Sequence, residues 1–561
     1  MHESLLGRPC YHAILDVPHA IDLAIIATPA ATVPEVVRQC GQQGIRGIVI
    51  LSAGFREVGA AGKALEDRLH AESRRFSGMR IIGPNCLGVI VPGSQLNASF
   101  AAAMPKPGRV AFLSQSGALC TAALDYALEE GLGFSYFVSV GNMLDVDLGD
   151  LIDYFGSDAA TKSMVLYAES ITNSRKFISA SRAFSAKSPI VAYKAGRFAS
   201  SAKAAASHTG AMAGEDDVTE AAFRRSGIER VSQIGNIFDC AEFLARCRLP
   251  RGGRLAIVTN AGGPGVMSVD ALLARKGTLA ELAPSTLEKL NQLLPPFWSH
   301  GNPVDILGDA PPSRYRDALA VVLDDEGVDA ILAILTPQAM TNPTEAAEAV
   351  CEIARSATKP VLAAWMGAAA VREGVERLNR SNVATFATPE EGIETFMHLV
   401  SYSRNLRALY ETQRSRSSTS LSQCVRPEGV LERHRSSNRV LLDEIDAKET
   451  LTGAGIAVAP TRSARSIDEV VSIAKEIGFP VVMKILSPQI SHKSDVGGVV
   501  LNIATQAALI DAYESIFHRA RVKRPGADLV RVSIPPMIRM DHCGELILGA
   551  EGGAPSGVGL L

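Results

Sequence analysis

Strand-length apolar runs alternate along this chain with glycine-containing turns and Ala-rich sequence of helical length. The runs are AIDLAIIAT (20–28), GIVILSA (47–53), RIIGP (80–84), RVAFLSQ (109–115), SMVLYAE (163–169), PIVAYKA (189–195), RLAIVTN (254–260), AILAILTP (330–337) and KPVLAAWMG (359–367). Most are continuously apolar and do not alternate with polar residues. Strands buried on both faces of a parallel sheet have this character. The intervening helices supply the crossovers. The chain is 47% hydrophobic but only 5% aromatic, which suits Ala-rich helices on Val/Ile strands, the usual α/β composition. Its 561 residues are enough for about three to five domains.

The formal net charge of -3 favours neither a nucleic-acid partner nor an acidic tail. The nine cysteines are scattered without a CxxC pair, which points to reduced thiols and away from a disulfide framework or a zinc site. The first residues, MHESLLGRPCYHAILD, lack the apolar core of a signal peptide. No apolar run approaches the roughly 20 residues of a membrane span. A soluble, cytoplasmic protein without a membrane partner is expected.

An internal repeat narrows the architecture. GRVAFLSQSG (108–117) aligns without a gap to the start of GRLAIVTNAGG (253–263). Ala-rich helical sequence follows each copy, then an apolar strand, then a Pro-led strand ending in glycine (PIVAYKAG; PVLAAWMG). Two related flavodoxin-like domains are expected, at roughly 105–248 and 250–405. Residues 411–439 are rich in Ser and Arg and read as an exposed linker before a last strand–helix segment, 440–561.

The turns SQSG (114–117) and NAGGPG (260–265) sit where a strand ends and a helix should begin. A helix N-terminus carries unpaired N–H groups and about half a positive charge, and glycine lets an anion approach them. Ser114, Gln115, Ser116 and Gly117, with Asn260, Gly262, Gly263 and Gly265, are therefore candidate phosphate-binding residues. Small βα turns are also common as structure alone. Their duplication allows two helix ends to converge on one dianion.

His208 lies in SSAKAAASHTGAMAGED (200–216), a small, polar segment that reads as a loop over the sheet. A surface histidine is one reading. The other is a nucleophile, since a neutral imidazole can attack an acyl phosphate. Glu169, at the end of SMVLYAES, can orient that imidazole by accepting its second N–H, or can simply face water. Further on, VVMK (481–484) ends in Lys484, and SHKSDVGG (491–498) reads as a polar, glycine-ended flap. Lys484 is either a phosphate contact or a strand-end lysine extending to solvent.

SHTGAMAG closely resembles the phosphohistidine loop of NDP-forming acyl-CoA synthetases, relatives of succinyl-CoA synthetase. IGPNCLGV (82–89), LSQSGAL (113–119), VTNAGGPGV (258–266), NPVDI (302–306) and FPVVMKILSPQISHKSDVGGVVLNI (479–503) resemble the same family, in the same order. The resemblance implies a Rossmann-like CoA-binding domain over 1–103, with Ser52, Ala53, Gly54 and Asn85 at the CoA site. It implies His208 and Glu169 as the catalytic pair. After a linker at 406–439 it implies an ATP-grasp domain over 440–561, with Lys484, His492, Lys493 and Glu545 near the nucleotide.

The implied cofactors are CoA, ATP or ADP, and Mg²⁺, the last with no ligand identifiable in this sequence. The implied partners are a small carboxylic acid or its acyl-CoA, phosphate and nucleotide, in a homodimer or with a complementing subunit. Against the family pattern, the first βα unit of the CoA-binding domain and the second half of the ATP-grasp domain are expected to be missing. An alternative reading follows: a CoA- or acyl-CoA-binding regulatory protein without turnover.

Overall fold

Every one of the nine apolar runs contains a strand in the computed structural model, which describes residues 4–198, 201, 216–410, 441–490, 492–529, 531–538, 550–553 and 557–560. The described residues form two units, one built mainly from the chain up to residue 411 and one from residues 412–547.

In the first unit, β1 (Leu23–Ile26), β2 (Gly47–Ile50) and β3 (Arg80–Ile82) make a parallel sheet. Helices α1 (Val33–Gln42) and α2 (Ala60–Ser73) connect its strands. Ile48, Ile50, Val37 and Leu69 are buried in its core.

The second sheet has seven strands. They are β4 (Gly88–Val91), β5 (Leu96–Ser99), β6 (Lys106–Ser114), β7 (Gly133–Ser139), β8 (Ser163–Ala168), β9 (Ile190–Lys194) and β10 (Ile228–Val231). Their spatial order is β10-β9-β8-β6-β7-β4-β5. Strands β6 to β10 are mutually parallel and follow the 2-1-3-4-5 order of flavodoxin-like folds. The β4–β5 hairpin adds antiparallel strands at the β7 edge. Residues 88–99, read from sequence with the first segment, thus pair with the second sheet. The helices are α3 (Gly117–Glu129), α4 (Leu148–Gly156), α5 (Ser174–Ser185), α6 (Asp216–Ser226) and α7 (Ile234–Arg246).

The third sheet repeats the pattern with β11 (Arg254–Thr259), β12 (Thr278–Leu279), β13 (Val304–Asp305), β14 (Ala330–Leu335), β15 (Val361–Trp365) and β16 (Ala384–Phe386). The order β12-β11-β14-β15-β16 is again 2-1-3-4-5, and β13 pairs with the end of β11. Every residue of β14 and β15 is buried, because helices cover both faces. Among these are α8 (Gly262–Ala274), α9 (Pro284–Leu293), α10 (Pro312–Leu323), α11 (Pro343–Ser356), α12 (Arg372–Arg380) and α13 (Pro389–Tyr410). Helix α13 also packs on β10 and α7 of the preceding sheet. There His398 Nδ1 meets Glu229 Oε1 at 2.9 Å.

The second unit contains α14 (Glu444–Gly453), β17 (Arg462–Ala464), α15 (Ile467–Ile477), β18 (Val481–Leu486), β19 (Val499–Ile503), α16 (Gln506–Lys523) and β20 (Arg531–Ile534). Its strands form an antiparallel sheet in the order β17-β20-β18-β19. Helices α15 and α16 bury Val470, Leu509 and Ile516 against it. No helix among the described residues is long and apolar enough to cross a membrane.

Candidate active site

In a flavodoxin-like sheet, ligands bind beyond the C-terminal ends of the strands where the strand order reverses. Here that point lies at the ends of β6 and β8, and both carry residues singled out from the sequence. After β6 the Ser114 hydroxyl donates to Ser116 O and accepts from Ser116 N, both at 3.0 Å. Ser114 is wholly buried and is committed to shaping the turn. Ser116 caps α3 by accepting from Leu119 N at 3.3 Å. The N–H groups of Gly117 and Ala118 have no intrahelical acceptor. A Cβ at Gly117 would meet only Leu87 N, at 3.9 Å, so protein packing does not demand glycine there.

Gln115 bridges the two strand ends. Its Oε1 accepts from Glu169 N at 2.5 Å and Ser170 N at 3.0 Å, and its Nε2 donates to Ser170 Oγ at 3.1 Å. Glu169 is half-buried, and Tyr167 Oη donates to its Oε1 at 3.4 Å. Burial, and then the Glu169 charge, push the Tyr167 phenol up. Lys194, at the end of β9, is buried, and that burial pulls its ammonium down; Arg230 acts in the same direction.

The first sheet supplies the opposite wall. Ser52 Oγ donates to Thr28 O at 2.5 Å, and Asn85 N donates to Ser52 O at 2.9 Å. Asn85 has φ +59°, a left-handed conformation that asparagine tolerates. The end of β7 and the segment 140–143 after it lock this wall to the second sheet. Ser139 Oγ accepts from Leu87 N at 2.9 Å, and Val140 N donates to Ser114 O at 2.9 Å. Gly141 has φ +56°, and a Cβ there would lie 2.2 Å from Pro84 O, so only glycine fits.

Asn142 is buried and donates through Nδ2 to Glu57 Oε2 at 2.7 Å and Glu66 Oε2 at 3.1 Å. Its carbonyl accepts from Arg56 Nη2. Burial alone would raise the Glu57 carboxyl. Asn142 and the N–H groups of Gly54 and Phe55 outweigh it and hold that carboxyl below its usual range.

These elements enclose a cavity of about 400 Å³. Ala53, Arg56 and Asn85 line one side, and Gln115, Ser116, Gly117, Ala118 and Glu169 the other. The candidate CoA residues Ala53 and Asn85 thus share one space with the phosphate turn and Glu169. Arg56, Glu57, Glu66 and Asn142 were not identified from the sequence. Arg56 and Glu57 directly follow the LSAGF turn and Asn142 the VSVG turn, whereas Glu66 lies within α2.

The third sheet repeats the hydrogen bonding with different chemistry. Thr259 Oγ1 donates to Ala261 O at 2.9 Å and accepts from Ala261 N at 3.1 Å, as Ser114 does with Ser116. Asn260 is buried and bridges to β14, accepting from Thr336 N at 2.8 Å and donating to Thr336 O at 2.9 Å. Thr336 therefore occupies the place that Glu169 holds in the first copy. Helix α8 has no side-chain cap. Gly262 and Gly263 present N–H groups without intrahelical acceptors, and a Cβ at Gly263 would meet nothing within 4 Å. Gly265 is different. Its N–H donates to Ala261 O at 3.3 Å, and a Cβ would press on Thr259 and Pro303.

In the second unit, Lys484 Nζ donates to Glu444 Oε1 at 2.8 Å, while Lys448 lies 3.3 Å from the same oxygen. Ser533 Oγ donates to Glu444 Oε2 at 3.0 Å. Burial alone would raise the Glu444 carboxyl, but Lys484 and Ser533 hold it below its usual range. The lysine head is thus engaged by an acidic partner 40 residues earlier in the chain. His492 is exposed, and Lys493 O accepts from Gly498 N at 2.7 Å, closing the turn before β19. His208 and Glu545 lie outside the described residues.

The fold places this chain among α/β proteins built on flavodoxin-like sheets, with a cavity at a helix N-terminus, and similarity to known proteins gives the family. Four family models match in succession: a CoA binding domain (1–92), a succinyl-CoA ligase like flavodoxin domain (107–244), a Ligase-CoA domain (255–404) and an ATP-grasp domain (433–557). Acetate–CoA ligase (ADP-forming) I of Archaeoglobus fulgidus is 38% identical over 552 residues, covering 98% of this chain and 78% of that protein. The ADP-forming 4-hydroxybutyrate–CoA ligase of Nitrosopumilus maritimus is 33% identical over 556 residues, again covering 98% and 78%. Among solved structures, the acetyl-coenzyme A synthetase 1 of Ca. Korarchaeum cryptofilum in complex with phosphate and ADP superposes with a TM-score of 0.71 at 35% identity. It covers 74% of this chain and 90% of that one. The chain belongs to the family of ADP-forming acetate–CoA ligases.

Proposed function

We propose that the chain interconverts acyl-CoA, phosphate and ADP with a carboxylate, CoA and ATP, acting on acetate or another small acid. The observation that carries this reading is the shared cavity, where Glu169, Ser116 and Gly117 face Ala53 and Asn85. A thioester held on the first sheet there meets a phosphate held at the start of α3.

The chemistry runs in three transfers. Phosphate attacks the thioester carbonyl, CoA leaves as the thiol, and an acyl phosphate remains. The imidazole of His208 then attacks phosphorus and the carboxylate departs. Glu169 accepts the second imidazole N–H and stabilises the cation. The N–H groups of Gly117, Ala118, Gly262 and Gly263 hold the phosphoryl oxygens, an electrostatic contribution from prepositioned dipoles. Finally the segment carrying His208 delivers the phosphoryl group to ADP, with Lys484, His492, Lys493 and Glu545 assisting. Lys484 exchanges Glu444 for phosphate oxygens as nucleotide arrives. Among the described residues no group of three or more His, Cys, Asp or Glu is placed to hold a metal, and no step is assigned to Mg²⁺.

Nucleotide and CoA as ligands are supported by the relatives' names and by the ADP complex of the solved structure. A homodimer or a complementing subunit is the proposed assembly. Two Pyrococcus furiosus relatives are named as separate alpha and beta subunits of such ligases. A cytoplasmic location rests on the scattered cysteines.

The test is release of free CoA from acetyl-CoA by the full chain. CoA release that requires both inorganic phosphate and ADP is expected. Tight acetyl-CoA binding without any release would overturn the proposal in favour of a regulatory binder.

A further inference from the structure

We infer that Gln115 is a positioning residue that sets the Glu169 carboxylate, and not a phosphate ligand. The inference rests on the proposed function, because it gives Glu169 its task.

The amide of Gln115 is already engaged at both ends. Its oxygen takes the N–H groups of Glu169 and Ser170, and its nitrogen donates to Ser170 Oγ and lies 3.8 Å from Met143 Sδ. A carboxamide is the side chain that accepts two N–H groups and donates to a hydroxyl while staying neutral. Neutrality matters here because the residue being held is itself an anion. The backbone N–H of Gln115 donates to Tyr167 O at 3.2 Å, so the residue grips β8 immediately before and immediately after Ala168.

The third sheet shows that the bridge between neighbouring strand ends does not need a carboxylate. Asn260 joins β11 to Thr336 in the same way, at a place where no carboxylate stands. In the first copy the same device sits under an acid. Among the described residues, Tyr167 on its own strand and Lys194 on β9 interact with the Glu169 charge, with Arg230 and Asp216 acting on Lys194.

Two variants of the full chain test this. Phosphohistidine formation from acetyl phosphate is measured across pH 5–9 and across acetyl phosphate concentration, alongside melting temperature. Gln115→Glu retains the two acceptor bonds but places a second negative charge beside Glu169. It is expected to move the acid limb of the rate profile to higher pH, with half-saturating acetyl phosphate unchanged. Gln115→Asn keeps the amide but shortens its reach. A loss of roughly a hundredfold in maximal rate is expected, again with half-saturation unchanged.

A raised half-saturation concentration with an unmoved pH limb would overturn the inference and make Gln115 a phosphate ligand. Wild-type behaviour of both variants would overturn it too, as would unfolding of both. If Gln115→Asn alone melts, the pH limb of Gln115→Glu decides. An unlabelled wild type would instead sink the function on which the inference rests.

Discussion

Asn142 Nδ2 donates to Glu66 Oε2 at 3.1 Å, joining the segment after β7 to helix α2 of the first sheet. The same nitrogen reaches Glu57 at 2.7 Å. One neutral amide thus separates two carboxylates at the boundary of the cavity, and Arg56 closes the group through the Asn142 carbonyl and Glu66.

Asn142→Ala removes both donors and leaves the Glu66 carboxylate buried with one fewer partner. A loss of about 3 kcal/mol is expected, at the upper end for an unsatisfied buried group. Denaturant unfolding of the full chain checks it. A change under about 0.5 kcal/mol, the size of an ordinary surface substitution, would show that Asn142 does not hold the two sheets together.

Glu169→Gln leaves the two backbone bonds to Gln115 in place, because Glu169 and Ser170 make them through their main chains. It removes only the charge. Phosphohistidine formation should fall at least about a hundredfold, the range of a lost acid–base partner, while the melting temperature stays near wild type. Unchanged labelling would make Glu169 a bystander.

The Lys484–Glu444 pair gives the second unit a pH signature. The folded Glu444 carboxyl lies below its usual range. Its stabilisation is therefore complete above the unfolded value of about 4.3 and is lost as pH falls through the folded one. Glu444→Gln should cost about 2 kcal/mol at pH 7, with the deficit shrinking toward zero in acid. Melting curves at several pH values would show it. A deficit that stays constant with pH would remove the charge from the explanation. Lys484→Met should reproduce the stability loss and also weaken ADP binding.

Asp239, on α7, titrates in the opposite sense. Burial, and then Glu391, Glu242 and Glu394, push its carboxyl up to about 7. The folded state holds a proton that the unfolded chain releases near pH 4, so stability falls as pH rises from about 4 to 7. Asp239→Asn should leave stability near pH 4 almost unchanged and raise it above pH 7, by up to about 4 kcal/mol. Equal effects at both ends would assign the gain to packing.

The sheets were legible in the sequence because a strand covered on both faces must be apolar along its whole length, as AILAIL and VLAAW are. The repeat carried the duplication, and the structure extends it to the hydrogen bonds of Ser114 and Thr259. Strand β7, GFSYFVS, escaped notice because serines interrupt its apolar run. Asn142 was hidden for a different reason. Its partners lie 76 and 85 residues away, and nothing local marks an amide that two distant carboxylates will share. Gln115 and Asn260 were visible as polar residues at helix starts, but the sequence could not show that strand ends, not anions, occupy their amides. Lys484 was visible too, whereas its pairing with Glu444 depends on a helix 40 residues earlier packing beside β18.

In the proposed reaction one imidazole carries phosphate from the acyl phosphate to the nucleotide. The most direct measurement is mass-spectrometric mapping of the phosphoryl group after the full chain is treated with acetyl phosphate. A single phosphorylated residue, His208, is expected, absent in His208→Ala and discharged by ADP. A phosphoryl group on another residue, or none on a folded wild type, would contradict it.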